Sequence, residues 1–80
     1  MKRYLIVIEK AKRNYGAHAP DLPGCGVLGK TVEETVESMK RAIAMHIQGM
    51  REDGEPIPEP TTVADYVEVE IPEPAKRKAG

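Results

Sequence analysis

Ala19-Pro20-Asp21-Leu22-Pro23-Gly24-Cys25 stands between two stretches that read as strands, and its reading decides the fold. Leu22-Pro23-Gly24-Cys25 fits a type II turn, with Pro at the second position and Gly supplying the positive φ at the third. Pro20 lacks a donor, so ladder pairing is expected to stop before the turn. The run predicts a rigid corner between strands and by itself implies no chemistry.

Working outward, Arg3–Glu9 (RYLIVIE) is rich in β-branched residues and apolar on both faces. Tyr4, Ile6 and Ile8 fall on one side and Leu5 and Val7 on the other, the pattern of a central strand. A polar loop, Lys10–Asn14, leads to a thinner second strand, Tyr15–Ala19. Past the corner, Cys25–Leu28 reads as a short third strand and Gly29-Lys30 as the turn into a helix. Thr31 is a good N-cap, and Glu34 three residues on completes a capping box. Val32, Val36, Met39, Ile43, Ile47 and Met50 recur at spacings of three and four, which predicts one apolar stripe. Gly54 stands where a C′ residue ends a helix. Glu55-Pro56-Ile57-Pro58-Glu59-Pro60 must be extended. Tyr66–Ile71 (YVEVEI) alternates Val67, Val69 and Ile71 against Tyr66, Glu68 and Glu70, predicting a half-buried edge strand that Pro72 and Pro74 terminate.

The expected fold is α+β: a two-layer βββαβ domain over residues 1–71, with a disordered basic tail at 72–80. A right-handed crossover through the helix places the fourth strand parallel to the first, giving a mixed four-stranded sheet of order 3-2-1-4. One helix covers one face, so the other is expected to be an exposed apolar surface that needs a partner.

Composition bounds the rest. Eighty residues make one domain, with 40% apolar residues, three Tyr and neither Trp nor Phe. A core of small aliphatic side chains in so short a chain is marginal, which again predicts association, as a homodimer or homotetramer. The single cysteine, Cys25, permits no internal disulfide, and Tyr4–Ile8 is too short for a signal-peptide core or a membrane span. A cytoplasmic protein with no membrane partner is expected. The net charge of −1 is unevenly spread. Residues 1–30 carry six Lys/Arg against Glu9 and Asp21, a net +4, whereas 55–71 carry five acidic residues and no basic one, a net −5. The acidic stretch suits a basic protein better than a nucleic acid.

PDLPGC, followed by Gly29-Lys30-Thr31 and the helix opening Thr31-Val32-Glu33-Glu34, resembles the HicB-like antitoxin family of toxin–antitoxin systems. The resemblance also takes in the first strand, Tyr15, Ala42-Ile43 and the GEPIPEP segment from Gly54 to Pro60. It implies a truncated ribonuclease-H-like fold of the same element order. It also implies an antitoxin that binds and masks a small basic mRNA-cleaving toxin of the HicA type. The family turn motif would be Pro20, Asp21, Leu22, Pro23, Gly24 and Cys25, in a structural role. Many members append a C-terminal DNA-binding domain. Pro72–Gly80 is too short to form one, so no direct operator binding is expected from this chain.

No residue set makes a convincing catalytic or metal site. If the ribonuclease-H likeness implied metal catalysis, Asp21, Glu9 and Glu34 would be its carboxylates, but they lack the spacing of a two-metal cluster. Asx hydrogen bonding explains Asp21 in a corner. Cys25 with His18 or His46 is a conceivable nucleophile pair, yet each also fits a packing or boundary position. Zinc would need further ligands. Lys2, Arg3, Lys10, Lys12 and Arg13 could touch phosphate, with only Tyr4 and Tyr15 near enough to stack a base.

The expectation is therefore a non-enzymatic, cofactor-free antitoxin that works by occlusion. Its partner surface would be Glu55, Glu59, Asp65, Tyr66, Glu68 and Glu70, or the uncovered sheet face. The alternatives are a self-assembling orphan domain of the same family and, less favoured by the residues, a small metal-dependent nuclease.

Overall fold

A computed structural model describes residues 1–75; the end of the expected disordered tail, residues 76–80, lies outside the described residues. Its elements are β1 (Val7–Lys10), β2 (Tyr15–His18), β3 (Gly26–Gly29) and α1 (Val32–Glu52). The strands form an antiparallel sheet of order β1-β2-β3, so the first part of the expected meander is present. Ile8 pairs with Ala17 and Ala17 with Val27, and these three face the helix. Val7, His18 and Gly26 fall on the opposite face, as do Glu9, Gly16 and Leu28. That outer face is only patchily apolar, because glycines and polar side chains interrupt Val7 and Leu28.

The corner has the expected geometry. Gly24 has φ +83°, and the Cys25 amide donates to the Leu22 carbonyl at 3.1 Å. A second turn precedes it: the Leu22 amide donates to the Ala19 carbonyl at 3.0 Å, with Pro20 at the second position. The two turns push Leu22 wholly inside, where it packs with Ala17, Ala19, Cys25 and Met39. The corner is thus part of the core.

The helix follows its end signals. The Thr31 hydroxyl accepts the Glu34 amide at 3.1 Å. Glu34 reaches back to the Lys30 amide, at 3.2 Å, one residue before the N-cap whose amide a capping box would bind. At the other end Gly54 has φ +72°, and its amide donates to Arg51 while that of Glu55 donates to Met50, forming a Schellman motif. Thr35 is fully buried, and its hydroxyl donates to the Thr31 carbonyl at 2.7 Å. The helix start meets β3 so closely that a Cβ on Gly29 would collide with the Thr35 hydroxyl and approach its backbone.

Two expectations need correction. The apolar stripe is continuous, but its first turns are not covered. Met39 is buried and Ile43, Ile47 and Met50 pack on the core, whereas Val32 and Val36 remain exposed. The second concerns the sheet. Tyr66–Ile71 forms no strand and lies fully exposed, so the described residues hold a three-stranded sheet and no parallel fourth strand beside β1. The cause is the path that leads there. Tyr4 and Lys2 hold Pro58 and Glu59, and Asp21 then holds Thr61 and Thr62 at the β2–β3 corner. The chain has already passed the end of the sheet when Val63 begins.

Adding a methyl at the helix–β3 contact should overpack it: Gly29→Ala is expected to destabilise the fold by about 1–3 kcal/mol, measured by chemical denaturation. Gly24 has open space around its missing Cβ, so only backbone strain opposes substitution there. Gly24→Val should cost more than about 1 kcal/mol in the same measurement.

Candidate partner interface

Asp21 organises the route of the chain after the helix. Its Oδ2 accepts the backbone amides of Thr61 and Thr62, each at 3.1 Å. Its Oδ1 accepts the hydroxyls of the same residues, at 3.1 Å and 2.8 Å. These donors, the Thr62 amide foremost, hold the Asp21 carboxyl below its ordinary range. Upstream, the Tyr4 hydroxyl donates to the Pro58 carbonyl at 2.6 Å, and Lys2 forms an ion pair with Glu59. Both ends of that pair are exposed, so it positions more than it stabilises.

The expected interface residues therefore part company. Glu59 is neutralised by Lys2, and Glu55 stands at the helix terminus. Asp65, Tyr66, Glu68 and Glu70 lie along an extended, exposed arm, with the Asp65 carboxylate accepting the Tyr66 amide at 2.7 Å. The structure does not gather them into one patch. A second surface, a groove with charged walls, lies where the helix start meets β3: Glu33, Glu34 and Glu37 line it together with Asn14, Leu28, Lys30 and Arg41, three acidic side chains against two basic ones. In the sequence the helix dipole accounts for Glu33 and Glu34 in the first turn, so they are not singled out as a surface.

Between α1 and the segment that precedes β1 runs a third surface, an apolar groove lined by Tyr4, Ile6, Val36, Met39 and Ile43 and rimmed by Lys2 and Lys40. Its near wall is the segment that leads into β1, where Lys2 and Tyr4 also hold Glu59 and Pro58, and the outer edge of β1 itself carries no strand.

The candidates for chemistry are placed apart or are otherwise engaged. Burial pushes the Cys25 thiol up, away from the thiolate that a nucleophile needs. Cys25 and His46 border one shallow depression, whereas His18 lies on the outer sheet face. Among the described residues no three His, Cys, Asp or Glu side chains are grouped to hold a metal ion. Of the two tyrosines near the basic residues, Tyr15 lies under the Lys10 ammonium, 5.2 Å from the ring centroid, and Tyr4 is bonded to Pro58. Among the described residues no helix is long and apolar enough to cross a membrane.

Comparison with known proteins agrees with this architecture. The profile of a family described as the HicB-like antitoxin of bacterial toxin–antitoxin systems matches residues 4–73. An uncharacterised 14.9 kDa protein from the rep–hol intergenic region of Haemophilus phage HP1 is 41% identical over 64 residues, covering 80% of this chain and 48% of the phage protein. The chain thus spans about half the length of that relative. A UPF0150 protein of Thermoplasma acidophilum is 35% identical over 57 residues, covering 70% of this chain and 83% of that protein. Among solved structures, a chain of a HicA3 and HicB3 toxin–antitoxin complex superposes with a TM-score of 0.65 at 30% identity, covering 75% of this chain and 70% of that one.

The Asp21 clamp has a pH signature. Its folded carboxyl holds a proton less tightly than the unfolded one, so its stabilisation is complete above the unfolded value and is lost as pH falls through the lowered folded value. The amide resonances of Thr61 and Thr62 should titrate together with a midpoint below 3.8, the ordinary value for the group. Asp21→Ala should abolish that titration while the helical circular dichroism persists. A midpoint at or above the ordinary value would contradict the clamp.

Proposed function

The chain belongs to the HicB-like antitoxin family of bacterial toxin–antitoxin systems, and from that premise we propose that it binds and masks a small basic mRNA-cleaving toxin of the HicA type. The observation that carries this reading is the acidic arm. Residues 55–71 hold five acidic side chains and no basic one. Asp65, Glu68 and Glu70 project from an exposed segment with no ion-pair partner among the described residues. A basic surface that must reach RNA phosphates is the natural complement of such a segment, and covering it removes the toxin's access to RNA. The helix-start groove, with Glu33, Glu34 and Glu37 against Lys30 and Arg41, is a weaker, mixed-charge surface beside it.

The action is occlusion, without a cofactor and without catalysis by this chain. The raised Cys25 thiol and the separation of Glu9, Asp21 and Glu34 onto a strand end, a corner and a helix start support that assignment over a nuclease. The domain works in the cytoplasm and as a homodimer or homotetramer, because its groove and arm leave apolar surface unpaired. The fourth strand of the truncated ribonuclease-H-like fold belongs to that assembled state.

Long-range attraction should show in the encounter rate more than in final affinity. Glu68→Lys with Glu70→Lys is expected to slow association with the cognate toxin about tenfold or more at low salt. The wild-type rate should itself fall as salt shortens the Debye length below about 10 Å. Both side chains are exposed, so the fold is expected to survive. Stopped-flow association at low and high salt checks this; equal rates for mutant and wild type at low salt would move the contact to the helix-start groove or the sheet face.

A further inference from the structure

The arm and the apolar groove are complementary, and one chain does not bring them together. Val63, Asp65, Val67, Val69 and Ile71 alternate along one side of the arm. Val67 is 84%, Val69 71% and Ile71 80% exposed, an unusual state for a row of β-branched residues. Nine residues of extended chain reach about 30 Å. The radius of gyration, 18.5 Å, records the projection, since a compact chain of this length would have about 12 Å. The groove, about 300 Å³, has an apolar floor of Tyr4, Ile6, Val36, Met39 and Ile43, continues into the unpaired outer edge of β1 through Ile6, and carries at its rim Lys40 and the Glu59-paired Lys2.

We infer that residues 63–71 dock as the missing fourth strand on the β1 edge of a second copy of this chain, with the two copies exchanging arms about a twofold axis. Three observations select that occupant. The Asp21–Thr61/Thr62 clamp ties the start of the chain's own arm to the β2–β3 corner, and no residue of the arm lines the groove. The arm is acidic and Lys40 on the groove rim has no ion pair among the described residues, so Asp65 near the start of the row can meet it. A groove and an arm on the same chain form a self-complementary pair, as a twofold interface requires. Pairing satisfies the backbone groups of both edges, and Val67, Val69 and Ile71 cover Val36 and Ile43. Tyr66, Glu68 and Glu70 stay outward. The inference specifies the self-association within the proposed function and is independent of the toxin.

The test compares solution mass by light scattering for the full chain and two variants. In one, Val67, Val69 and Ile71 are each changed to Asp; in the other, Val36→Asp places a charge in the groove. All four positions are exposed in the single chain, so each variant should keep its helical circular dichroism. The wild type is expected to be dimeric, with both variants at half its mass. A mixture of the two variants retains one intact arm and one intact groove, and should regain a heterodimer at high concentration. A wild type that stays oligomeric while the arm variant keeps the same mass would overturn arm exchange and leave self-association through the sheet face. A wild type that is monomeric at every concentration, its arm folded back or free, would overturn both and leave toxin masking untouched.

Discussion

The corner Ala19–Cys25 is the constraint on which the rest of the structure depends. Its two consecutive turns reverse the chain, place Leu22 at the centre of the core and aim Asp21 at the returning segment. Each of these follows from the same backbone path. Without positive φ at Gly24, Cys25 could not return its amide to Leu22, and Leu22 would leave the core. The buried set is otherwise Ala17, Ala19, Cys25, Met39 and Thr35, mostly small side chains that cannot make up for a displaced leucine. The close approach of Gly29 to Thr35 then fixes the helix on β3, and the helix fixes which face of the sheet is inner.

This arrangement leaves one layer unfinished. The helix covers β2 and β3 more fully than the outer edge of β1, and Val36 and Tyr4 line an uncovered groove as a result. Fully burying an aliphatic side chain contributes about 1.5–3 kcal/mol. Val67, Val69 and Ile71 together therefore represent several kcal/mol, a large share of the roughly 5–15 kcal/mol that holds an ordinary domain together. The ion pair between exposed Lys2 and Glu59 cannot offset such an amount. Apolar burial is the larger quantity, and it is what the proposed assembly would gain by closing the groove.

What the sequence made legible follows the range of the physics involved. The corner, the N-cap, the Schellman end and the helix stripe are local, and Pro23, Gly24, Thr31 and Gly54 announce them within four residues of where they act. The alternation in Tyr66–Ile71 reads as a half-buried strand, yet in the single chain its apolar side chains are exposed. It does not say what such a strand pairs with, because strand pairing is non-local and a clamp between Asp21 and Thr61/Thr62, forty residues away, redirects the chain. Nothing in the spacing of Asp21 announces that partner. Val32 and Val36 belong to the same lesson: the periodicity identifies the stripe, and the missing layer leaves its first turns in solvent. For the candidate interface, net charge located the acidic segment but not its division between a Lys2-bound base and a free arm, which depends on contacts fifty-seven residues apart.

The two-residue period of a strand separates the arm's two tasks. Residues of odd number, Val63 to Ile71, form the face that a groove can accept. Tyr66, Glu68 and Glu70 form the face that remains in water. Placing the second face on a docked strand would restrain acidic side chains that a free arm leaves spread over many positions. Fewer conformations are then lost when a basic partner binds, so the same charges give more of their interaction energy as affinity. In the proposed assembly, docking and masking would use opposite faces of one segment, and the first would prepare the second. On that proposal a charge on the odd face would act on assembly, and one on the even face on the encounter with a partner. The alternation that first suggested an edge strand is also what keeps those two effects separable.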